Sequence, residues 1–206
     1  MRNEFIHGKY IMILGPDGCG KTSVSNWLEK EIIKTEIIKK EFSFGILPSF
    51  SKIFFGKKKE NRREGEINSG MLNSLNIIRG SIIACWYGLD HYLGTYYLKR
   101  QKQKTIIFAR SYYDFLYQRA YRNVPSFIYK FFFKVGPNPD LILVPFREPV
   151  KIYSDKPELS IDEIEMQYKI LKNFFLNEPK FVYLDASKGI ENTIDNLRNI
   201  YNKNLI

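Results

Sequence analysis

Eight consecutive residues, Gly15-Pro-Asp-Gly-Cys-Gly-Lys-Thr22, set glycines, a lysine and a hydroxyl in the spacing G-x-x-x-x-G-K-T. Glycine lets a turn aim successive backbone N–H groups inward. The N-terminus of a following helix adds partial positive charge, so such a loop holds a polyphosphate. Lys21 can reach the outer phosphates as a point charge, and Thr22 can offer its hydroxyl to magnesium. Gly15, Pro16, Asp17, Gly18, Cys19, Gly20, Lys21, Thr22 and Ser23 are the expected nucleotide-binding residues, with Thr22 the expected metal ligand. A glycine turn that only connects two elements would leave Lys21 unexplained, because a helix N-terminus disfavours a cation.

The elements that must position this loop are legible around it. Tyr10-Ile-Met-Ile-Leu14 is a short apolar run ending in glycine, as expected of a strand buried on both faces. Val24, Trp27, Leu28 and Ile32 recur at helical spacing, which predicts a helix from Lys21 to about Lys34. A second strand is expected over Ile37–Phe44. Residues 49–65, with Lys57-Lys58-Lys59 and Arg62-Arg63, read as a mobile basic insertion. Residues 66–100 lack proline and predict two helices or one kinked helix, with Gly80 as the break.

Thr105–Phe108 reads as a third strand, followed by helical spacing from Tyr113 to Tyr121 and a helix opened by Pro125. Pro139–Val144 reads as a fourth strand. Ser160-Ile-Asp-Glu163 is a capping box that opens another helix. Lys180–Leu184 is the fifth strand, and a last helix begins near Ile190. Strands alternating with helices predict an α/β fold with a parallel sheet, in one domain spanning residues 1–206.

Composition agrees with an ordinary folded chain: 206 residues, 44% apolar and 26% charged. No apolar run is long enough to span a bilayer, and the first nine residues carry no apolar signal core. Cys19 and Cys85 give no disulfide framework, so the expected location is cytoplasmic. His7 and His91 have no zinc-ligand spacing with either cysteine. The net charge of +10 suits anionic small molecules, nucleic acid or an anionic membrane surface. The lysine run lacks a nucleic-acid recognition motif, so no nucleic-acid partner is expected. A core helix accounts for Phe131-Phe132-Phe133 without a membrane surface.

Several stretches together resemble the thymidylate kinases, and most closely the thymidylate-kinase-like branch associated with bacterial surface-polysaccharide genes. These are the loop with its aspartate, Arg79-Gly80 with Asp90-x-x-Leu-Gly94, and Ile107-Phe-Ala-Arg-Ser-Tyr-Tyr-Asp114. Pro139-Asp-Leu-Ile-Leu143, Lys156-Pro-Glu-Leu-Ser160 and Leu184-Asp-Ala-Ser187 complete the set, which covers nearly the whole chain. The resemblance implies a three-layer P-loop fold with a five-stranded parallel sheet in the order 2-3-1-4-5, and a lid at about residues 145–160. It implies ATP or another nucleoside triphosphate with Mg2+, a nucleotide or small-molecule phosphate acceptor, and a homodimer packed through the long central helices.

On that resemblance Lys21 and the loop amides hold the donor, and Arg110 and Arg79 clamp the acceptor phosphate. Asp185, Ala186 and Ser187 form the adenine-side loop. Tyr87, Tyr92, Tyr112 and Tyr113 are candidates to stack on a base, with Tyr113 the expected substrate contact. Two positions depart from the family pattern. Ala109 stands where an aspartate precedes Arg110, and Asp155 stands where the lid has an arginine. Asp17 and Asp114 are the expected compensating carboxylates, and Arg147, Lys151 and Lys156 the candidate lid charges. Two readings stay open: an active phosphotransferase, or a catalytically impaired homologue that binds nucleotide as a regulatory or scaffold protein.

Overall fold

A computed structural model describes residues 9–31, 36–50, 76–187 and 190–205. Five strands form one parallel sheet: β1 (Tyr10–Ile13), β2 (Glu36–Glu41), β3 (Lys104–Arg110), β4 (Leu141–Phe146) and β5 (Phe181–Asp185). Their order is β2-β3-β1-β4-β5, as expected, with every neighbouring pair parallel. Helices α1 (Lys21–Glu31), α2 (Ile77–Arg100), α3 (Asp114–Tyr117), α4 (Ser126–Val135), α5 (Pro149–Asp155), α6 (Ile161–Phe174) and α7 (Ile190–Leu205) complete it.

The period of two in the strands explains the layers. Ile11 and Ile13 of β1 face a core shared with Val24 and Leu28 of α1 and Leu197 of α7. Tyr10, Met12 and Leu14 face the opposite core, with Phe44, Tyr112, Ile128, Ile164 and Leu171. β1 is therefore buried throughout, and the chain leaves it at the sheet's C-terminal edge, where ligands bind in such sheets.

Four local expectations change. Gly80 does not break a helix: α2 runs without interruption from its Asn76 cap, whose side chain accepts from the Ile78 amide. Gly80 is buried, as are Gly88 and Gly94. A Cβ on Gly88 would lie 2.3 Å from the Phe132 ring, and one on Gly94 2.3 Å from Phe44. Such glycines let rings pack against the helix, which offsets their propensity cost. Second, β2 stops at Glu41, and Phe42 adopts a φ of 60° that turns the chain away. Third, the helix expected over 113–121 is one turn of α3 followed by a 3-10 turn at Arg119–Tyr121. Fourth, β4 reaches Phe146, and the rest of the expected lid includes α5, whose Ile152 is buried. Ser160 caps α6 as expected, accepting from the Glu163 amide, but the Glu163 carboxylate accepts from Arg122 and Gln167 and, among the described residues, makes no return bond to the Ser160 amide. The basic run Lys57–Arg63 and His7 lie outside the described residues. Among the described residues no helix is long and apolar enough to cross a membrane.

Candidate functional site

The glycine loop joins β1 to α1. Gly15, Gly18 and Gly20 have φ of 140°, 88° and 106°, a region that favours glycine. A Cβ on Gly15 would meet Cys19 Sγ at 2.8 Å. Helix α1 opens at Lys21, so its first amides have no acceptor within the helix and remain available to an anion. Thr22 and Ser23 are exposed at this end.

Lys21 is buried, and its ammonium donates to Gly15 O at 2.6 Å, Pro16 O at 3.0 Å and Asp17 Oδ1 at 3.3 Å. Burial alone lowers its pKa, but the acidic groups around it, Cys19, Asp114 and Asp17, outweigh that and hold it above its ordinary value. Burial keeps the Cys19 thiol protonated, so the two carboxylates carry this effect at neutral pH. Asp17 also faces Arg110, at 3.6 Å. Burial opposes its ionisation, yet Lys21 and Arg110 hold its carboxyl below the usual range.

Behind the loop lies a buried pair that sequence reading divides wrongly. Asp114, an expected catalytic carboxylate, does not face the loop's open side. It is buried, and its Oδ1 lies 2.7 Å from the Tyr117 hydroxyl. That hydroxyl is 3.1 Å from Gly15 N and 3.0 Å from Gly15 O. Burial pushes Asp114 up to about 6, against the pull of Lys21 and the Tyr117 hydrogen bond. Tyr117 was not among the expected site residues. The available signal was its spacing of three from Asp114, which puts both on one helix face.

Arg110 ends β3 at the edge beside the loop, as expected. Its guanidinium lies 5.7 Å from the centre of the Phe42 ring, which stacks on Phe115 at 5.9 Å and 13°. Helix α2 joins β3 within a few residues and so runs antiparallel to it. Its 24 residues span about 36 Å. Arg79 is exposed in its first turn, whose neighbours Ile78 and Ile82 lie beside Pro125 and Phe127. Tyr113 requires a correction: it is fully buried, its hydroxyl is 3.2 Å from His91 Nε2, and it packs on Phe133. It is a core residue, as is Tyr112, whereas Tyr92 is exposed and Tyr87 half-buried.

On the other side of the loop a cavity of about 280 Å³ lies between Gly20, Ser23 and Trp27 and the residues after β5, Ala186 and Ser187, with Arg147 and Lys151 at its wall. Asp185 does not line it. Its carboxylate accepts from the Ser187 amide and hydroxyl, and so shapes the turn that presents Ala186 and Ser187. Arg147 donates to Gly18 O at 3.1 Å and pairs with Asp155 at 2.5 Å. A Cβ on Gly18 would lie 3.0 Å from Ile152 of α5. Asp155, in the segment expected to be a lid, is thus paired with a neighbour that also grips the loop. The sequence shows Asp155's charge but not this partner.

A parallel sheet in this order, with such a loop after the strand at its centre, defines the P-loop fold of nucleoside monophosphate kinases. Two solved structures share it. Thymidylate kinase from Candida albicans superposes with a TM-score of 0.57 at 14% identity, covering 97% of this chain and 94% of that one. Deoxyadenosine kinase from M. mycoides, solved with the products dCMP and dCDP, gives 0.57 at 16% identity, covering 94% of this chain and 99% of that one. No family model matches the sequence, and no curated protein matches it.

Proposed function

We propose that this chain is a phosphotransferase that moves the γ-phosphoryl group of ATP, or of another nucleoside triphosphate, onto a nucleotide or small metabolite. The observation that carries the reading is one continuous site: left-handed glycines, the free amides of α1, a buried ammonium and a cavity sized for a base beside them. The amides of Gly18, Gly20, Lys21 and Thr22 and the Lys21 ammonium hold the donor's phosphates. Ala186, Ser187, Trp27 and Arg147 receive its base. Arg110, and Arg79 at the head of α2, hold the acceptor's phosphate, where a planar guanidinium forms paired hydrogen bonds.

The Thr22 hydroxyl, exposed at the helix start, and the Asp17 carboxylate, ionised between two cations, are oxygen donors of the hard type that Mg2+ takes. Magnesium bound there supplies charge neutralisation to the phosphates. In the transfer itself the acceptor oxygen bonds to the γ-phosphorus as the bond to the β-bridging oxygen breaks. Lys21 and Arg110 balance the charge on the phosphoryl oxygens. A second copy packed on the exposed apolar residues of α2 completes the reading.

The alternative, a nucleotide-binding homologue impaired in transfer, draws on two features. β3 carries Ala109 beside Arg110, and Asp155 takes up one nitrogen of Arg147 while Gly18 O takes another. Losing a transition-state arginine costs about 10³ or more in rate. One experiment decides between them. Purified chain is assayed with Mg·ATP against nucleotide and sugar-phosphate acceptors, alongside Lys21→Ala. The expected result is transfer that Lys21→Ala abolishes with its thermal unfolding midpoint little changed. Nucleotide binding without transfer to any acceptor establishes the impaired reading.

A further inference from the structure

We propose that occupation of the glycine loop by a polyphosphate is coupled to uptake of a proton by Asp114, with Tyr117 as the positioning residue that carries the change to Gly15. The inference rests on the phosphate-binding reading above and adds a linkage that neither the loop motif nor the fold contains.

The geometry sets up two exclusive hydrogen-bond arrangements. A phenol hydroxyl has one proton and accepts through its lone pairs. Tyr117 Oη accepts from Gly15 N, and can donate either to Asp114 Oδ1 at 2.7 Å or to Gly15 O at 3.0 Å. The ionised carboxylate is the closer and stronger acceptor, and Gly15 O already has a donor in Lys21 Nζ at 2.6 Å, so the Tyr117 proton goes to Asp114 while it is ionised. When Lys21 turns its ammonium to a phosphate, Gly15 O loses that donor. Asp114 loses its nearest cation in the same movement, and phosphate charge arrives on the other side of the loop. Each of these changes favours a neutral Asp114.

The balance is simple. One proton from solvent converts the Asp114 carboxylate to the acid. The acid O–H then donates to Tyr117 Oη, whose own proton rotates to Gly15 O. Tyr117 stays a neutral phenol throughout, and the loop carbonyl exchanges its lysine donor for a tyrosine. A buried carboxyl held up at about 6 is poised for this, since it is ionised in the free protein and needs little further change to hold a proton at neutral pH.

The groups around Asp114 are few. The loop supplies Lys21 and Asp17, and Cys19, whose thiol burial keeps neutral. Its own helix supplies Tyr117. Arg110, just before α3, is directed at Asp17. Of α6, which packs on α3, Tyr168 bonds Pro145 O and Arg147 N, and Glu163 pairs with Arg122. Lys21 is the cation of this set that acts directly on Asp114, and on the proposed function the donor's phosphates recruit it.

The test is calorimetric titration of the full chain with magnesium and a non-hydrolysable ATP analogue at pH 6.5, repeated in buffers of differing ionisation enthalpy. The dependence of heat on buffer gives protons exchanged per site, and subtracting the Asp114→Asn result cancels the ligand's own protons. Wild type is expected to take up on the order of half a proton more than Asp114→Asn. Tyr117→Phe removes the hydrogen bond that favours the carboxylate, so Asp114 is already protonated in part and the uptake shrinks. This second variant answers the question even where Asp114→Asn does not fold. A merely structural pair would alter affinity and leave the proton count unchanged. Equal counts in wild type and either variant overturn the proposal while nucleotide binding stands. Absence of any binding by wild type removes the phosphate-binding reading itself, and this linkage with it.

Discussion

Lys21 holds a position that an ammonium would not choose unaided: buried, and at the end of a helix where the dipole repels it. Three oxygens within 3.3 Å, one of them from Asp17, and the nearby Asp114 carboxylate reverse that preference. On the proposed function, these are the contacts that a phosphate replaces. Ala109 is the residue where this site departs most from the resemblance. It stands half-buried next to Arg110 at the end of β3, where a carboxylate would face the same edge. Asp17, paired with both Lys21 and Arg110, is the anion now present there. If Asp17 does not replace the missing group fully, Ala109→Asp raises the transfer rate by about tenfold or more, ~1.4 kcal/mol of barrier. Rates measured on the acceptor found in the Lys21 experiment check this. An unchanged or lower rate shows that the native edge is complete without it.

At the scale of elements, what the sequence makes legible is whatever depends on local pattern. The buried run of β1, the glycine loop, the helix cap at Ser160 and the order of strands and helices all follow from spacing and residue type. What depends on distant partners does not. Gly80 reads as a break because glycine is a weak helix former, but the intact α2 holds two further glycines, Gly88 and Gly94, where rings press against it. Tyr113 and Tyr117 look alike in sequence, one turn apart. Only the packing of α3 sends the first into the core against His91 and the second to Gly15. Arg147's grip on Gly18 spans 129 positions in sequence and has no local sign. Helix α2 also leaves Ile78, Ile82, Leu89, Tyr92 and Tyr96 exposed, at spacings of four, seven, three and four that place them along one face. Packing by a second copy on that row predicts a dimer in sedimentation velocity, and Ile82→Glu is expected to shift it to monomer. A wild-type monomer at all concentrations tested removes the homodimer from the proposal.

At the scale of the whole molecule, two buried groups pull stability against pH in opposite directions. Burial lowers His91 from 6.5 to about 3, so the unfolded chain binds the extra proton as pH falls below 6.5, and stability is lost with acid. Burial raises Asp114 from 3.8 to about 6, so the folded chain binds the extra proton first, and stability is gained as pH falls through 6. Asp17, with its lowered value, loses its contribution only at more acidic pH. Between pH 7 and pH 5 the histidine costs about 2 kcal/mol and the aspartate offsets more than half of it, so a net loss of about half a kcal/mol is expected from this pair. Asp114→Asn removes the offset, and its loss over the same interval grows to about 2 kcal/mol. His91→Gln removes the larger effect, and its stability holds level or rises toward pH 5. Urea unfolding of the three chains at the two pH values measures all of this. An Asp114→Asn profile parallel to that of wild type would show that Asp114 is not held up in the folded chain, and would also deprive the loop of its proton acceptor.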